Sequence, residues 1–411
     1  MSNVVVIGGG AAGMMAAYAA GSKGHQVSLY DGNEKLGKKI YITGKGRCNF
    51  TNAMPLEEYF NGKLVTNPKF LYSALYTFSN DMVMEFMESH GTPVKVERGD
   101  RAFPVSDHAS DITAALKRAM DEVGVRVFLN RKVEEILTAD QRVCGVRLSD
   151  GAKVMADAVI LATGGKSYPT TGSTGDGYRF AKDLGLVVIP PRPSLVPFVT
   201  QEGYIPLLQG LSLRNVILTI YDDKKKVYSD FGELLFTHFG ISGPLVLTAS
   251  AFLGKRLEQR GSLRAEIDLK PALSEEQLDE RLLREISENG SKAFHNYIAK
   301  LLPGKLVDVF VDLTGIAPDK KARDLTAKDR EMIRNLLRHF PMTLIGMRGF
   351  KEAIVTQGGI DVKELDPSTM AVKRYSGLYA CGEVLDLDAV TGGFNLQIAF
   401  STGYLAGISI E

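Results

Sequence analysis

The chain has 411 residues, of which 45% are hydrophobic and 24% charged, with a formal net charge of +1. That composition describes an ordinary globular protein with material for two or three domains and a large core. Its near-neutrality argues against nucleic acid or an anionic membrane as the main partner, so a small-molecule substrate is expected, with no nucleic acid and no membrane.

Taken in order, Val4-Val5-Val6-Ile7 is an apolar, β-branched run short enough to be one buried parallel strand. It leads through Gly8-Gly9-Gly10-Ala11-Ala12-Gly13 into a helix of small residues, and a second strand, Gln26–Tyr30, ends on Asp31. This is G-x-G-x-x-G between a strand and a helix, with an acidic residue about twenty positions later. Gly8 permits the tight turn, Gly10 lets the backbone approach a pyrophosphate, and Gly13 lets the helix pack on the strand. Free N–H groups at the helix start receive the phosphates, and Asp31 is placed to bind a ribose. The motif points to a dinucleotide without separating FAD from NAD.

Between Gly37 and Asn52 the chain carries Ile42-Thr43-Gly44-Lys45-Gly46-Arg47-Cys48-Asn49. Glycine N–H groups with basic side chains wrap anions closely, so Gly44, Arg47 and Asn49 are candidates to contact cofactor or substrate. Cys48, between Arg47 and Asn49, is a candidate low-pKa thiol. Residues 70–90 read as one core-type helix with a Met and Phe stripe. Asp111–Val123 is another helix, and Val143–Leu148 pairs with Lys153–Ala156 around Asp150-Gly151. The buried strand 158–161 leaves through Ala162-Thr163-Gly164-Gly165, a second glycine exit of the kind a chain needs to close around a long cofactor.

Four prolines between Pro190 and Pro197 mark a boundary. An inserted domain is expected over 191–345, β-rich at 191–270 and 305–315 and helical at 271–304, splitting a first domain of 1–190 and 346–411. Within it, Lys224-Lys225-Lys226 reads as a solvated hairpin tip. His238, before a glycine turn and a helix start at Pro244, is a candidate donor to a substrate carbonyl or carboxylate. No stretch reaches the length of about eighteen apolar residues that a spanning helix needs. The N-terminus lacks a basic leader region. The three cysteines (Cys48, Cys144 and Cys381) form no C-x-x-C, so neither dithiol chemistry nor a zinc centre is expected, no metal is assigned, and a reducing cytoplasm fits.

After the insertion come Val355-Thr356-Gln357-Gly358-Gly359, Gly382-Glu383-Val384-Leu385-Asp386, and Gly392-Gly393-Phe394-Asn395 opening a last small-residue helix. With Ile42–Asn49 and Phe236–Pro244, these segments make the chain resemble the two-dinucleotide-binding class of FAD flavoproteins. More narrowly, they resemble a bacterial family of NAD(P)/FAD-dependent oxidoreductases that includes aminoacetone oxidases and 3-dehydro-bile-acid Δ4,6-reductases. The resemblance implies an α/β fold, with a Rossmann-like FAD-binding domain carrying an inserted β-rich and helical domain. It implies that Gly8, Gly10, Ala11, Ala12 and Gly13 hold the FAD pyrophosphate, with Lys38 and Lys39 near the phosphates. Val133 would meet the adenine through its backbone, and Thr163 and Gly164 would flank the cofactor. Gly382 and Glu383 stand where the wider class has Gly-Asp for the ribitol, so that ligand is Glu383 or Asp386. Gly393, Asn395, Leu396, Gln397 and Ile398 would present a helix N-terminus to the flavin pyrimidine edge, where its positive dipole stabilises the anionic reduced ring.

The expected activity is FAD-dependent reduction of a small unsaturated or carbonyl-containing substrate with NAD(P)H as transient donor, the substrate sitting against the flavin. An amine oxidase of the aminoacetone type using oxygen is the alternative, and a flavin-dependent tRNA-modifying protein is a third. The oligomeric state is open.

Overall fold

The computed structural model describes residues 1–411 except for the side chain of Lys45. The chain divides into two compact units, 1–194 with 349–411, and 195–348. In the first unit, β1 (Asn3–Ile7), β2 (Gln26–Tyr30), β3 (Arg126–Phe128), β4 (Ala158–Leu161) and β5 (Leu378–Ala380) form a sheet in the order β5-β4-β1-β2-β3. Every neighbouring pair is parallel. The four apolar residues of β1 are buried, as a strand covered on both faces requires.

The helix α1 (Ala11–Ser22) follows β1 directly, and ten of its twelve residues are buried. It packs along the C-terminal helix Phe394–Ile408. A Cβ added at Gly403 would lie 2.4 Å from the Ala12 carbonyl oxygen, and one at Gly407 would lie 2.5 Å from that of Ala16. The alanines and glycines of both helices therefore let two backbones approach where larger side chains could not, which seats both helix N-termini at the carboxyl end of the sheet. An antiparallel pair, Val188–Ser194 with Val355–Ile360, and two small three-stranded sheets complete this unit.

The second unit is a closed six-stranded antiparallel barrel of Phe198–Thr200, Gly240–Ser242, Lys225–Phe236, Ser212–Asp222, Leu263–Asp268 and Phe340–Met347. Leu218, Ile220, Phe236, Ile267 and Phe340 are among its fully buried residues. Helices Pro244–Arg260, Glu275–Glu288, Gly304–Thr314 and Ala327–Arg338 accompany it.

Two expected elements differ. Residues 305–315, expected as strand, form the helix Gly304–Thr314. Its apolar residues include Leu306, Val307, Val309, Phe310 and Val311, a run that suits either element. Pro303 at its N-cap and Gly315 at φ 65° after its last turn are the helix signals that decide it. The second β contribution is instead Phe340–Met347, which pairs with both Leu263–Asp268 and Phe198–Thr200 and closes the barrel. The single helix expected over 70–90 is broken at Phe78, and Ser79 caps a new one by accepting from the Met82 N–H. No helix among the described residues is long and apolar enough to cross a membrane.

Candidate flavin site

A cleft opens at the carboxyl ends of β1, β2 and β4, lined by the glycine turn, Asp31, Lys38 and Lys39, Val133, Thr163 and Gly164, Glu383, and Asn395, Leu396 and Ile398. The three motif glycines divide their work as steric reasoning requires. Gly8, at φ 107°, brings its Cα so close to β4 that a Cβ would lie 2.5 Å from the Ala162 carbonyl oxygen. A Cβ at Gly13 would lie 1.8 Å from the Gly8 carbonyl oxygen. A Cβ at Gly10 would meet nothing within 4 Å and would project into open space instead. Gly8 and Gly13 thus shape the turn, while Gly10 leaves room for a ligand.

The donors and acceptors suit a dinucleotide. Gly10 caps α1 without a side-chain hydrogen bond, so the first N–H groups of a twelve-residue helix are free to receive phosphate. Asp31 accepts from the Gly9 N–H at 2.6 Å and the Asn33 N–H at 2.7 Å, which orient its carboxylate at the end of β2 and leave lone pairs for a diol. Thr163 Oγ1 is buried on the cleft wall without a hydrogen-bond partner among the described residues. The C-terminal helix begins at Gly393, at φ 99° and without a side-chain cap, so its free N–H groups mark a second positive pole. A Gly393 Cβ would lie 2.3 Å from the Thr51 carbonyl oxygen, so that glycine serves the helix start rather than the cleft wall.

The ribitol candidates separate. Glu383 lines the cleft and is held by three donors: Lys39 Nζ at 2.6 Å, Ser167 Oγ at 2.9 Å and the Thr356 N–H at 2.7 Å. Asp386, the other candidate, is off the cleft, accepting from Asn67 Nδ2 at 3.1 Å and the Gly358 N–H at 3.1 Å. Burial raises its pKa, against the pull of those donors. Lys38 lines the cleft with its ammonium paired to Glu34 at 3.2 Å.

Several further expectations are corrected. Arg47 is committed elsewhere: its guanidinium contacts Asp107 at 2.6 Å and Glu97 at 2.5 Å and lies 4.3 Å over the Phe103 ring. With Lys95 these groups form one network, and none of them lines the cleft, nor do Gly44 and Asn49. Gln397 is fully buried, accepting from Thr51 Oγ1 at 2.5 Å and donating to Ser401 Oγ at 2.9 Å. Cys48 is no low-pKa thiol: it is wholly enclosed, and burial pushes its pKa up to about 12, as it does for Cys381. An iodoacetamide labelling experiment on the native protein near pH 7 is therefore expected to modify Cys144 and spare Cys48. Rapid labelling of Cys48 would contradict this.

His238 is exposed in the 195–348 unit, its ring edge-on to Phe239, whereas every residue lining the cleft belongs to the other unit. Gly382 is set behind the wall, where a Cβ would lie 2.6 Å from that of Ala12. Sequence reading missed Ser167 and Thr356. Thr356 lies inside the quoted Val355–Gly359 segment, but nothing in one dimension ties either residue to Glu383.

Asp388 sits beyond the cleft-lining Leu387, fully buried, and accepts from Thr66, Ser194 and Gln357. Burial outweighs those donors and lifts its pKa to about 6. Between about pH 4, where an unfolded carboxyl titrates, and about pH 6 the folded chain keeps a proton that the unfolded chain releases. Stability from this group therefore falls as pH rises through that window, by up to about 3 kcal/mol, and is flat above it. Melting curves of Asp388→Asn are expected to decline less between pH 4 and 6 than those of the parent; parallel curves would contradict it.

The family described as HI0933-like protein Rossmann domain matches residues 2–409. The chain belongs to this FAD-binding Rossmann family. It is an FAD-dependent oxidoreductase. It is 32% identical over 414 residues to a ribosomal RNA dihydrouridine synthase of Haemophilus influenzae, covering 100% of this chain and 98% of that one. It is 30% identical to a 3-dehydro-bile acid delta(4,6)-reductase of Clostridium scindens, covering 99% and 98%. The 3-ketosteroid delta1-dehydrogenase from Sterolibacterium denitrificans shares the fold, with a TM-score of 0.53 at 15% identity, covering 99% of this chain and 98% of that one.

Proposed function

We propose that this protein reduces a carbon–carbon double bond conjugated to a carbonyl, with NAD(P)H as the electron donor. The observation that carries the reading is the cleft itself: two uncapped helix N-termini and the Lys39–Glu383 pair line one cavity, a donor and acceptor set that suits a dinucleotide with a redox ring. When bound, FAD supplies two-electron hydride chemistry, so that NAD(P)H, a proton and the unsaturated carbonyl become NAD(P)⁺ and the saturated carbonyl. The α1 terminus would hold the pyrophosphate, Asp31 the adenosine ribose, and Glu383, aimed by Ser167 and the Thr356 N–H, the ribitol. The N-terminus of the C-terminal helix would stabilise negative charge on the reduced ring.

The substrate we favour is the uracil ring of ribosomal RNA. Its C5–C6 double bond is conjugated to C4=O, an enone like the one within a 3-keto-diene, and the Haemophilus influenzae relative named for that product matches this chain along its whole length. This departs from the small-molecule expectation drawn from overall charge, because net charge averages over faces that recognition does not. A 3-keto-4,6-diene steroid is the second reading, motivated by the Clostridium scindens relative.

The test is incubation with NADPH and unmodified ribosomal RNA, followed by nuclease digestion and mass spectrometry. A nucleoside two hydrogens heavier than uridine is the expected product. Saturation of the steroid diene with unaltered RNA would replace the favoured substrate with the second. Flavin reduction by a small amine, with oxygen as acceptor and no nicotinamide oxidation, would contradict the proposal.

A further inference from the structure

The 195–348 unit carries a basic face assembled from two stretches that are distant in sequence. The hairpin of Ser212–Asp222 and Lys225–Phe236 presents Lys224, Lys225 and Lys226 at its tip, all exposed. The helix Pro244–Arg260 presents Phe252, Lys255, Arg256, Gln259 and Arg260, which line a shallow concavity. On a helix these five positions fall within one face, since residues three, four, seven and eight apart are neighbours.

Asp222 fastens the two stretches together. Its carboxylate, 7% exposed, accepts from Arg256 Nη1 at 2.5 Å and Arg260 Nε at 2.9 Å, and Tyr228 of the hairpin lies with its ring 6.3 Å from that of Phe252. Two arginines share that one carboxylate, so the junction retains positive charge. Lys224, Lys225, Lys226 and Lys255 make no ion pair among the described residues. Six cations therefore gather beside four carboxylates, Asp222, Asp223, Asp230 (which accepts from the Tyr228 hydroxyl) and Glu258 on the same helix, leaving this face net positive on a chain whose total charge is only +1. Phe252, one helical turn before Lys255 and Arg256, remains 43% exposed at the edge of this face.

We propose that this face docks the phosphate backbone of RNA, with Phe252 offering a stacking surface to one unpaired base. Lysines and arginines on phosphates supply affinity without reading sequence, and an exposed aromatic adds a sequence-tolerant contact. The proposal rests on the reading of ribosomal RNA as substrate. It assigns the affinity for that RNA to residues outside the flavin cleft.

The experiment compares the flavin-loaded full chain with its Lys224→Gln/Lys225→Gln/Lys226→Gln/Lys255→Gln variant. Filter binding to protein-free ribosomal RNA is followed from 50 to 300 mM KCl, alongside NADPH-dependent bleaching of the flavin and uridine reduction. Each lost phosphate contact lowers the logarithmic salt slope by about 0.7 to 0.9. We expect the slope to fall by about 3 and affinity at 150 mM salt to fall at least about tenfold, with flavin bleaching unchanged. Phe252→Ala is expected to weaken binding severalfold at an unchanged slope.

Wild-type affinity and slope in the quadruple variant would overturn the docking face, and so would no RNA binding by either protein. Undiminished uridine reduction at low RNA concentration by the variant would also overturn it, while leaving the proposed substrate intact. Lysine-dependent RNA binding with no uridine reduced would support the face and sink the substrate reading instead.

Discussion

A Gly13→Val chain is expected to purify without flavin and to melt several degrees below the parent. The added Cβ would stand 1.8 Å from the Gly8 carbonyl oxygen and 3.3 Å from the Ala162 side chain. The first of these is a backbone atom at the apex of the turn, which cannot swing aside as a flexible side chain could. Either α1 lifts from β1 and β4 or the Gly8 turn opens, and both displace the N–H groups that would receive the pyrophosphate. Overpacking of this kind costs about 1–3 kcal/mol, and more where backbone must move. The informative control is Gly10→Val. Gly10 is extended, at φ −85° and ψ −171°, a conformation valine adopts freely, and its Cβ would meet no protein atom. That variant is expected to keep the parent's melting temperature in the flavin-free state and still lose FAD, because the new side chain occupies the ligand's space. Scanning calorimetry of the two apoproteins with FAD titration separates these outcomes. Unimpaired FAD binding by Gly10→Val would show that the cofactor does not lie against α1.

Glu383→Ala is the second change with a large expected effect. Its carboxylate collects Lys39 Nζ, Ser167 Oγ and the Thr356 N–H from three separate segments of the first unit. Removing it leaves the Lys39 ammonium, only 27% exposed, with the Ser167 hydroxyl as its one remaining partner at 2.5 Å, and strands the Thr356 N–H. Breaking one side of a buried pair costs about 3–5 kcal/mol, and the partial exposure here brings the expectation down to about 2–3 kcal/mol. The loss is expected to divide between stability and FAD affinity, with the dissociation constant rising at least about tenfold. Lys39→Met should be milder, because Glu383 keeps two donors. Equal FAD affinity in Glu383→Ala and the parent, measured by flavin fluorescence, would remove this residue from the cofactor site.

The first 31 residues carried most of what was legible. An alternation of burial and sharp turns within one βαβ unit is a local property, and each motif glycine has a steric reason that neighbours in sequence supply. The same holds for the helix beginning at Gly393, where a positive φ and an uncapped start follow a Gly-Gly pair. Long-range partnerships were not legible. Arg47 in a glycine-rich loop has the composition of an anion site, but Glu97 and Asp107 sit some fifty to sixty positions away and claim it. Cys48 has basic and polar neighbours in the chain, yet its surroundings in space are a closed core. Residues 306–313 fit strand and helix equally as an apolar run, and the flanking Pro303 and Gly315 were the better guide. The basic face was hidden for a related reason. Charge summed over the chain says nothing of where a hairpin tip and a helix bring six cations together.

The central claim, an FAD protein that passes electrons from a nicotinamide to a conjugated double bond, is tested most directly by anaerobic visible spectroscopy of the FAD-loaded chain. A yellow flavin band is expected that bleaches on addition of NADH or NADPH and returns, without oxygen, when ribosomal RNA or a 3-keto-4,6-diene is added. A band that persists with both nicotinamides but bleaches with a small amine, returning only in air, would contradict it.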